Sequence, residues 1–272
     1  MNKRLPHRFE TFGIQAWRGQ SPPMKRIHSH TEIELNLVEQ GELHYVFGSE
    51  PRTFKAGHFY IFNGVIPHRL VDSSEDSCFS WLTIPAHHFT QWDLPNSLVH
   101  NVLTQNLILD TNPDSFNEDV TRFARWRDDL DRKDPRLLRV IMLEVRARLE
   151  RLALDTQAGN QGEQVVWTTP ISLMIACILR NLTNPDLTLG DIADSADLNP
   201  SYASTLFSKK VGQSPIAFLT EQRLSYAALM LATTQAAVLE VAFSSGFGSA
   251  SQFYTSFKAH YGTTPTAFRT TP

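Results

Sequence analysis

The sequence predicts an α+β protein of two domains: a β-barrel or sandwich followed by helices, then an all-α domain holding two consecutive helix-turn-helix units. Three observations predict it. Short β-prone runs crowd the first third, apolar residues recur at helical spacing in the middle, and the last third states one pattern twice. That pattern is a short apolar helix, a tight turn and a second capped helix, first over 187–210 and again over 238–258.

The strand signals run from about Phe9 to Pro85. Ile33-Glu-Leu-Asn-Leu-Val38 and Phe59-Tyr-Ile-Phe62 are bounded by Gly41, Gly57, Gly64 and Pro67, and short strands at this spacing form a sandwich or small barrel. The first domain is therefore placed at 1–90. A helical pattern covers Phe116 to Leu130, breaks near Asp134-Pro135 and resumes from Arg136 to about Leu154. In the second stretch Leu138, Ile141, Val145 and Leu152 repeat at helical spacing, so segment 91–155 either packs on its own domain or supplies a dimer seam. Residues 156–164 are polar, contain glycine and lack periodicity, which marks a linker. The C-terminal domain, 165–272, opens on a helix from Trp167 to Leu182.

Composition excludes several classes. No apolar run approaches the ~18 residues of a membrane span, and the basic N-terminus is not followed by the apolar core of a signal peptide. Cys78 and Cys177 are too few and too far apart for a disulfide framework or a zinc finger, which places the chain in the cytoplasm. Neither a Gly-x-x-x-x-Gly-Lys phosphate loop nor a Gly-x-Ser-x-Gly elbow occurs.

In the doubled segment the helix starts are well signalled. Thr188 and Asp191 form a variant capping box, Asn199-Pro200 is an N-cap and first-turn pair, and Ser249 with Gln252 predicts a second capping box. Gly246 supplies the permissive backbone of a tight turn, and an apolar-periodic helix over 216–231 holds the two units apart. Two such units can insert recognition helices into successive major grooves of double-stranded DNA. Ser201, Tyr202, Ser204 and Thr205, then Ser249, Ser251, Gln252 and Thr255, are placed to meet base edges. Glutamine pairs with adenine, while no arginine stands ready to read guanine, so a shape-aided code is expected. Lys209, Lys210 and Lys258 end the recognition helices as phosphate contacts. Leu206, Phe207, Phe253 and Phe257 are assigned to the core. The acids Asp186, Asp191, Asp194, Asp197, Glu221 and Glu240 offset the few bases, and the whole chain carries a formal charge of −3. Modest affinity per protomer and a homodimer are expected.

These residues carry a resemblance. Asp191-Ile-Ala193, Asn199-Pro-Ser-Tyr202, Leu206-Phe207, Ser214-Pro215, Arg223-Leu224, Val241-Ala242, Gly246-Phe247, Phe253, Phe257-Lys258 and Tyr261-Gly-Thr-Thr-Pro265 resemble the signature positions of the AraC/XylS transcription regulators. The resemblance implies a two-unit DNA-binding domain acting at a promoter, with RNA polymerase as partner where the protein activates. Thr205 and Thr255 stand where members often carry arginine, and Asp197 replaces a usual turn glycine.

A second constellation lies among the strands. His28, His30 and Glu34, at i, i+2 and i+6, would point to one face of a single extended strand. With Gly41, Gly57 and Pro67-His68 they resemble the two cupin motifs, in whose metal-binding members three histidines and a carboxylate converge on one ion. Pro22, Asn63 and Val65 depart from the motifs' glycine and proline positions. Such a ligand set suits a divalent zinc, iron, manganese or nickel ion. Three readings stand: a sensor pocket for a small-molecule effector, the same barrel with a divalent metal, or a catalytic cupin. The helix-turn-helix domain favours a regulator rather than an enzyme; the alternative is a metal-dependent cupin enzyme with a helical interaction tail. Likeness of the His28–Glu34 and Gly57–His68 stretches to a sugar-operon member of the AraC/XylS family implies a sugar or glycoside effector. Trp81 and Tyr60 are candidate aromatic faces for it, and His87-His88 is expected at the surface.

Overall fold

Aromatic and β-branched runs separated by turn residues pair into two sheets in the N-terminal half. The computed structural model describes residues 8–10, 13–48, 50–104, 107–157 and 169–270, divided into two compact units at Thr169. The first unit contains β1 (Arg8–Glu10), β2 (Gln15–Gly19), β3 (His28–His30), β4 (Glu32–Gln40), β5 (Glu42–Phe47), β6 (Glu50–Lys55), β7 (His58–Asn63), β8 (His68–Ser73), β9 (Cys78–Pro85) and β10 (Ile108–Asp110). One sheet runs β1-β3-β8-β5-β6 and the other β10-β7-β4-β9-β2. Pairing is antiparallel apart from β1 with β3. This is a β-sandwich of the cupin type.

Strand β4 is buried on both faces. Register sets Glu34 opposite Phe62 and Asn36 opposite Tyr60. Tyr60, Phe62 and Val38 belong to the sandwich core with Leu43, Tyr45, Phe47, Phe54, Leu70 and Phe79. The alternate residues Ile33, Leu35 and Leu37 point the other way and are fully buried too. They are covered by the helical layer: α1 (Ala86–Gln91), α2 (Asn96–Thr104), α3 (Pro113–Asp131) and α4 (Pro135–Gln157). Asn112 caps α3, accepting from Asp114 N, with Pro113 in the first turn.

Charge ties this layer to the sheet. Arg148 of α4 bonds Asp119 of α3 (2.8 Å) and Asp110 of β10, with all three buried, and its guanidinium lies 4.9 Å from the Phe59 ring centre. Burial opposes the charge on Arg148, yet the paired carboxylates more than offset it and hold its pKa up. Ile141, Val145 and Leu152, for which the sequence left own-domain packing and a dimer seam open, lie in the core with Leu149, and Leu138 is half-buried. The large apolar residues that α4 leaves exposed are Val140, Leu143 and Leu154.

The second unit comprises α5 (Pro170–Arg180), α6 (Leu189–Asp194), α7 (Pro200–Val211), α8 (Pro215–Thr233), α9 (Val238–Ser244), α10 (Ala250–Tyr261) and α11 (Pro265–Thr270). It is the helical tandem helix-turn-helix domain, with α6–α7 and α9–α10 as the two units and α8 packed between them. Phe207 meets Phe218 of α8, while Phe247, Phe253 and Phe257 build the second core with Leu224, Leu231 and Val241. Leu206, assigned to the core, is only half-buried. The linker expected at 156–164 lies, beyond Gln157, outside the described residues, as does Trp167.

The repeat is visible in the backbone. Asn199 and Ser249 cap α7 and α10, Gly212 and Gly262 end them in left-handed conformation, and Ser214 and Thr264 cap α8 and α11. All three pairs keep the same spacing. Asp197 (φ 54°) and Gly246 (φ 87°) fill the left-handed turn position one residue closer together, so the second turn is longer by one residue. At Gly246 a side chain is excluded by space as well as by φ, since a Cβ would come within 2.3 Å of Leu182 O and 2.8 Å of Arg223 Nε.

Candidate functional site

Inside the sandwich, His28, His30, Glu34 and His68 converge. One ligand atom from each lies within 4.8 Å of all the others. His28, His30 and Glu34 do not share the single strand expected of them. The chain bends at Thr31, leaving His28 and His30 on β3 in one sheet and Glu34 on β4 in the other, while His68 starts β8 opposite His28. The site thus bridges the two sheets. Three members are buried and His28 is half-buried.

Hydrogen bonds orient the rings. His30 Nε2 lies 2.7 Å from Glu34 Oε1, and His68 Nε2 lies 3.3 Å from the same oxygen. His68 Nδ1 donates to Ile66 O (2.7 Å), which turns its Nε2 edge toward the cluster. Asn36 Nδ2 donates to Glu34 Oε2 (3.1 Å). Burial works against a charged His30, but hydrogen bonds and charges of Glu32 and Glu34 outweigh it and hold the imidazole up at about 9. Burial likewise works to raise Glu34, and His30 and His68 overcome it and keep the carboxyl well below its usual range. Tyr45 is pushed up by burial and by the Glu34 charge.

These donors fit a divalent ion. Three imidazoles and one carboxylate form a borderline ligand set. His68 Nε2 is buried without a hydrogen bond of its own and is aimed at Glu34. A bound ion would take the place of the proton between His30 and Glu34, supplying a Lewis-acidic centre held by His28, His30, Glu34 and His68.

The surroundings correct two sequence expectations. His87 and His88 are buried rather than superficial, because α1 packs its first turn against β4 and β9. Burial, followed by the neighbouring His87, keeps His88 neutral. Tyr60 is core: its ring stacks on Phe54 at 4.0 Å and its hydroxyl accepts from Lys55 N. Trp81 is different. It is half-buried on β9, in register with Asn36. Glu32, which belongs to neither motif, is 1 % exposed and lies 3.3 Å from His30 Nδ1. Polar residues at 32, 34 and 36 alternating with apolar 33, 35 and 37 are its available signal, one that usually marks a solvated face.

On the second unit, Ser201, Tyr202, Thr205, Lys209 and Lys210 are exposed along α7, and Ser204 is half-buried. Ser249, Ser251, Gln252, Thr255 and Lys258 are exposed on α10 and its cap. Thr188 and Asp191 close their capping box, and Asn199 Oδ1 accepts from Tyr202 N (2.9 Å). The box expected at Ser249 closes only by half. Gln252 donates its backbone N–H to Ser249 Oγ, leaving its side chain exposed on the helix.

A helix-turn-helix domain model of AraC type matches residues 175–271, and a cupin domain model matches 17–85. Together with the geometry these define a DNA-binding transcription regulator. The melibiose operon regulatory protein of Escherichia coli K12 is 24 % identical over 258 residues, covering 90 % of this chain and 84 % of that protein. The Tn10 TetD protein of Escherichia coli is 32 % identical over 47 % of this chain and 91 % of its own length. The Escherichia coli K12 xylose operon regulatory protein is 25 % identical over 52 % of this chain and 33 % of its own. The chain belongs to the AraC family of transcription regulators, and its relatives are regulators, not enzymes. No helix among the described residues is long and apolar enough to cross a membrane.

Proposed function

We propose that this regulator is switched by a small molecule, a sugar or glycoside, bound in the sandwich beside a divalent ion held by the His28, His30, Glu34 and His68 cluster. The observation that carries the reading is a bridging polar cluster buried in one unit of a chain whose other unit is a DNA reader. Asn36 Oδ1 is buried without a hydrogen bond and Trp81 stands in register with it, a polar group beside an aromatic face as sugar sites require. Two relatives are named for sugar operons. To switch anything, the effector must bind two states of the protein with different affinity.

In this reading Ser201, Tyr202, Ser204, Thr205, Ser249, Ser251, Gln252 and Thr255 face bases, and Lys209, Lys210 and Lys258 face phosphates. The protein works in the cytoplasm as a homodimer, and as an activator it meets RNA polymerase. The dimer contact is assigned to the exposed stripe of α4, Val140, Leu143 and Leu154, 42 %, 58 % and 66 % exposed. Their heptad-like spacing suits a paired helix of a second copy. Leu143→Glu should then shift sedimentation toward monomer.

Footprinting on the gene's own upstream region, with and without a panel of sugars and glycosides, tests the whole reading. Sequence-selective protection altered by one of them is expected. Protection unchanged by any sugar removes the sugar assignment, and absence of selective binding at low salt removes the function.

A further inference from the structure

Two residues outside the four-residue cluster lie against the His30 ring. Glu32 is buried at the start of β4, and its Oε1 accepts from Gly13 N (2.9 Å) and Thr31 Oγ1 (3.1 Å). That leaves Oε2 directed at His30 Nδ1, 3.3 Å away, on the ring edge opposite the one facing Glu34. Gly64 closes the other side. A Cβ on Gly64 would fall 2.0 Å from His30 Cε1, 2.2 Å from its Nδ1 and 2.7 Å from Glu32 O. The backbone at Gly64 is not left-handed, so space rather than conformation demands glycine here. The same residue clamps the strand, since His30 N donates to Gly64 O and Gly64 N donates to Glu32 O, each at 2.9 Å.

We propose that Glu32 and Gly64 are the positioning residues that make His30 a metal ligand: Glu32 fixes its Nδ1–H and Gly64 gives the ring room to aim Nε2 at the cluster. This rests on the reading that the cluster holds a divalent ion. A buried carboxylate behind the imidazole raises its basicity toward a metal, and loss of such a partner typically costs 10–100-fold in affinity. With an ion bound, Glu32 and Glu34 balance its double charge inside the sandwich. In the sequence Gly64 marks only a strand boundary, and no motif singles out Glu32.

Full-length protein, stripped with chelator, is titrated with Co²⁺, reading the visible absorption of the bound ion, followed by Zn²⁺ competition. Wild type should bind one ion per chain. Glu32→Gln should bind it about 10–100-fold more weakly, and Gly64→Ala should weaken binding at least as much with an altered Co²⁺ spectrum. Glu39→Gln, a carboxylate paired with Arg18 outside the cluster, should bind like wild type. If wild type takes up no ion, the metal reading falls and this proposal with it. If wild type binds and Glu32→Gln binds equally tightly, the proposal alone is overturned, even where the variant melts earlier. Should Glu32→Gln not fold, Glu32→Asp, which keeps the charge but withdraws it, is judged by the same affinity criterion.

Discussion

Inside the N-terminal unit lie His30, Glu32, Glu34, Asn36 and His68, with Asp110, Asp119 and Arg148 under its helices, whereas the C-terminal unit buries Arg223, Gln222 and a few serines in an aliphatic and aromatic core. Each buried charge in the first unit needs a partner, and a well-packed apolar group would often serve stability as well or better. Polar groups retained in such an interior point to work done inside. In the proposed function the second unit works on its outside, through α7 and α10, which leaves its interior free to be apolar. The buried guanidinium of Arg223 serves packing: it donates to Leu182 O and Asn184 O and ties α8 to the loop before α6.

The sharpest way to break this comparison is to unpair a charge. Asp119→Ala leaves Arg148 short of a buried partner and should cost about 3–5 kcal/mol. All five tryptophans precede Thr169, so tryptophan fluorescence in a urea titration follows the first unit selectively. A loss below about 1 kcal/mol would mean that the triad contributes little and the contrast is only compositional. In the second unit the largest effect should be steric. Gly246→Ala adds a left-handed alanine and a clash with Leu182 O, about 2–4 kcal/mol together, read by far-ultraviolet dichroism of its helices. An unchanged midpoint would refute the tight turn.

Smaller effects concern the outer face. Gln252→Ala should lose about 1–3 kcal/mol on a preferred site and relax its sequence, while Lys258→Ala should weaken all sequences alike and lower the salt slope by about 1. Identical behaviour of the two variants in gel shifts would misplace α10. The smallest change is Asp197→Gly, which relieves a positive φ of 54° and should stabilise by up to about 1 kcal/mol. Destabilisation would show that the Asp197 side chain has a role of its own.

The same contrast explains how much is legible in the sequence. Helix starts in the second unit are written locally, in Thr188, Asn199-Pro200 and Ser249, because a cap bonds residues only two or three positions away. His28, His30 and Glu34 can be found by their spacing, though for a mistaken reason: the spacing suggests one straight strand, and a bend between two sheets is what brings them together with His68, which the second motif marks. The burial of His87 and the positions of Glu32 and Gly64 follow from contacts with distant strands, which no local pattern encodes. Likewise the exposed face of α4 is ambiguous in the sequence because both its faces carry aliphatic residues at helical spacing, and only α3 and β10 decide which one is covered.

Strand β4 has one more consequence. Its even positions face the polar cluster and its odd positions form the floor beneath α1 and α3, and neighbouring β7 does the same with Phe62 against His68 and Phe59 beneath Phe123 and Arg148. A plank cannot tilt on one side alone. Were a guest to draw Glu34 inward, Leu35 and Leu37 of the same strand would carry the shift to the helices resting on them, as a change of footing.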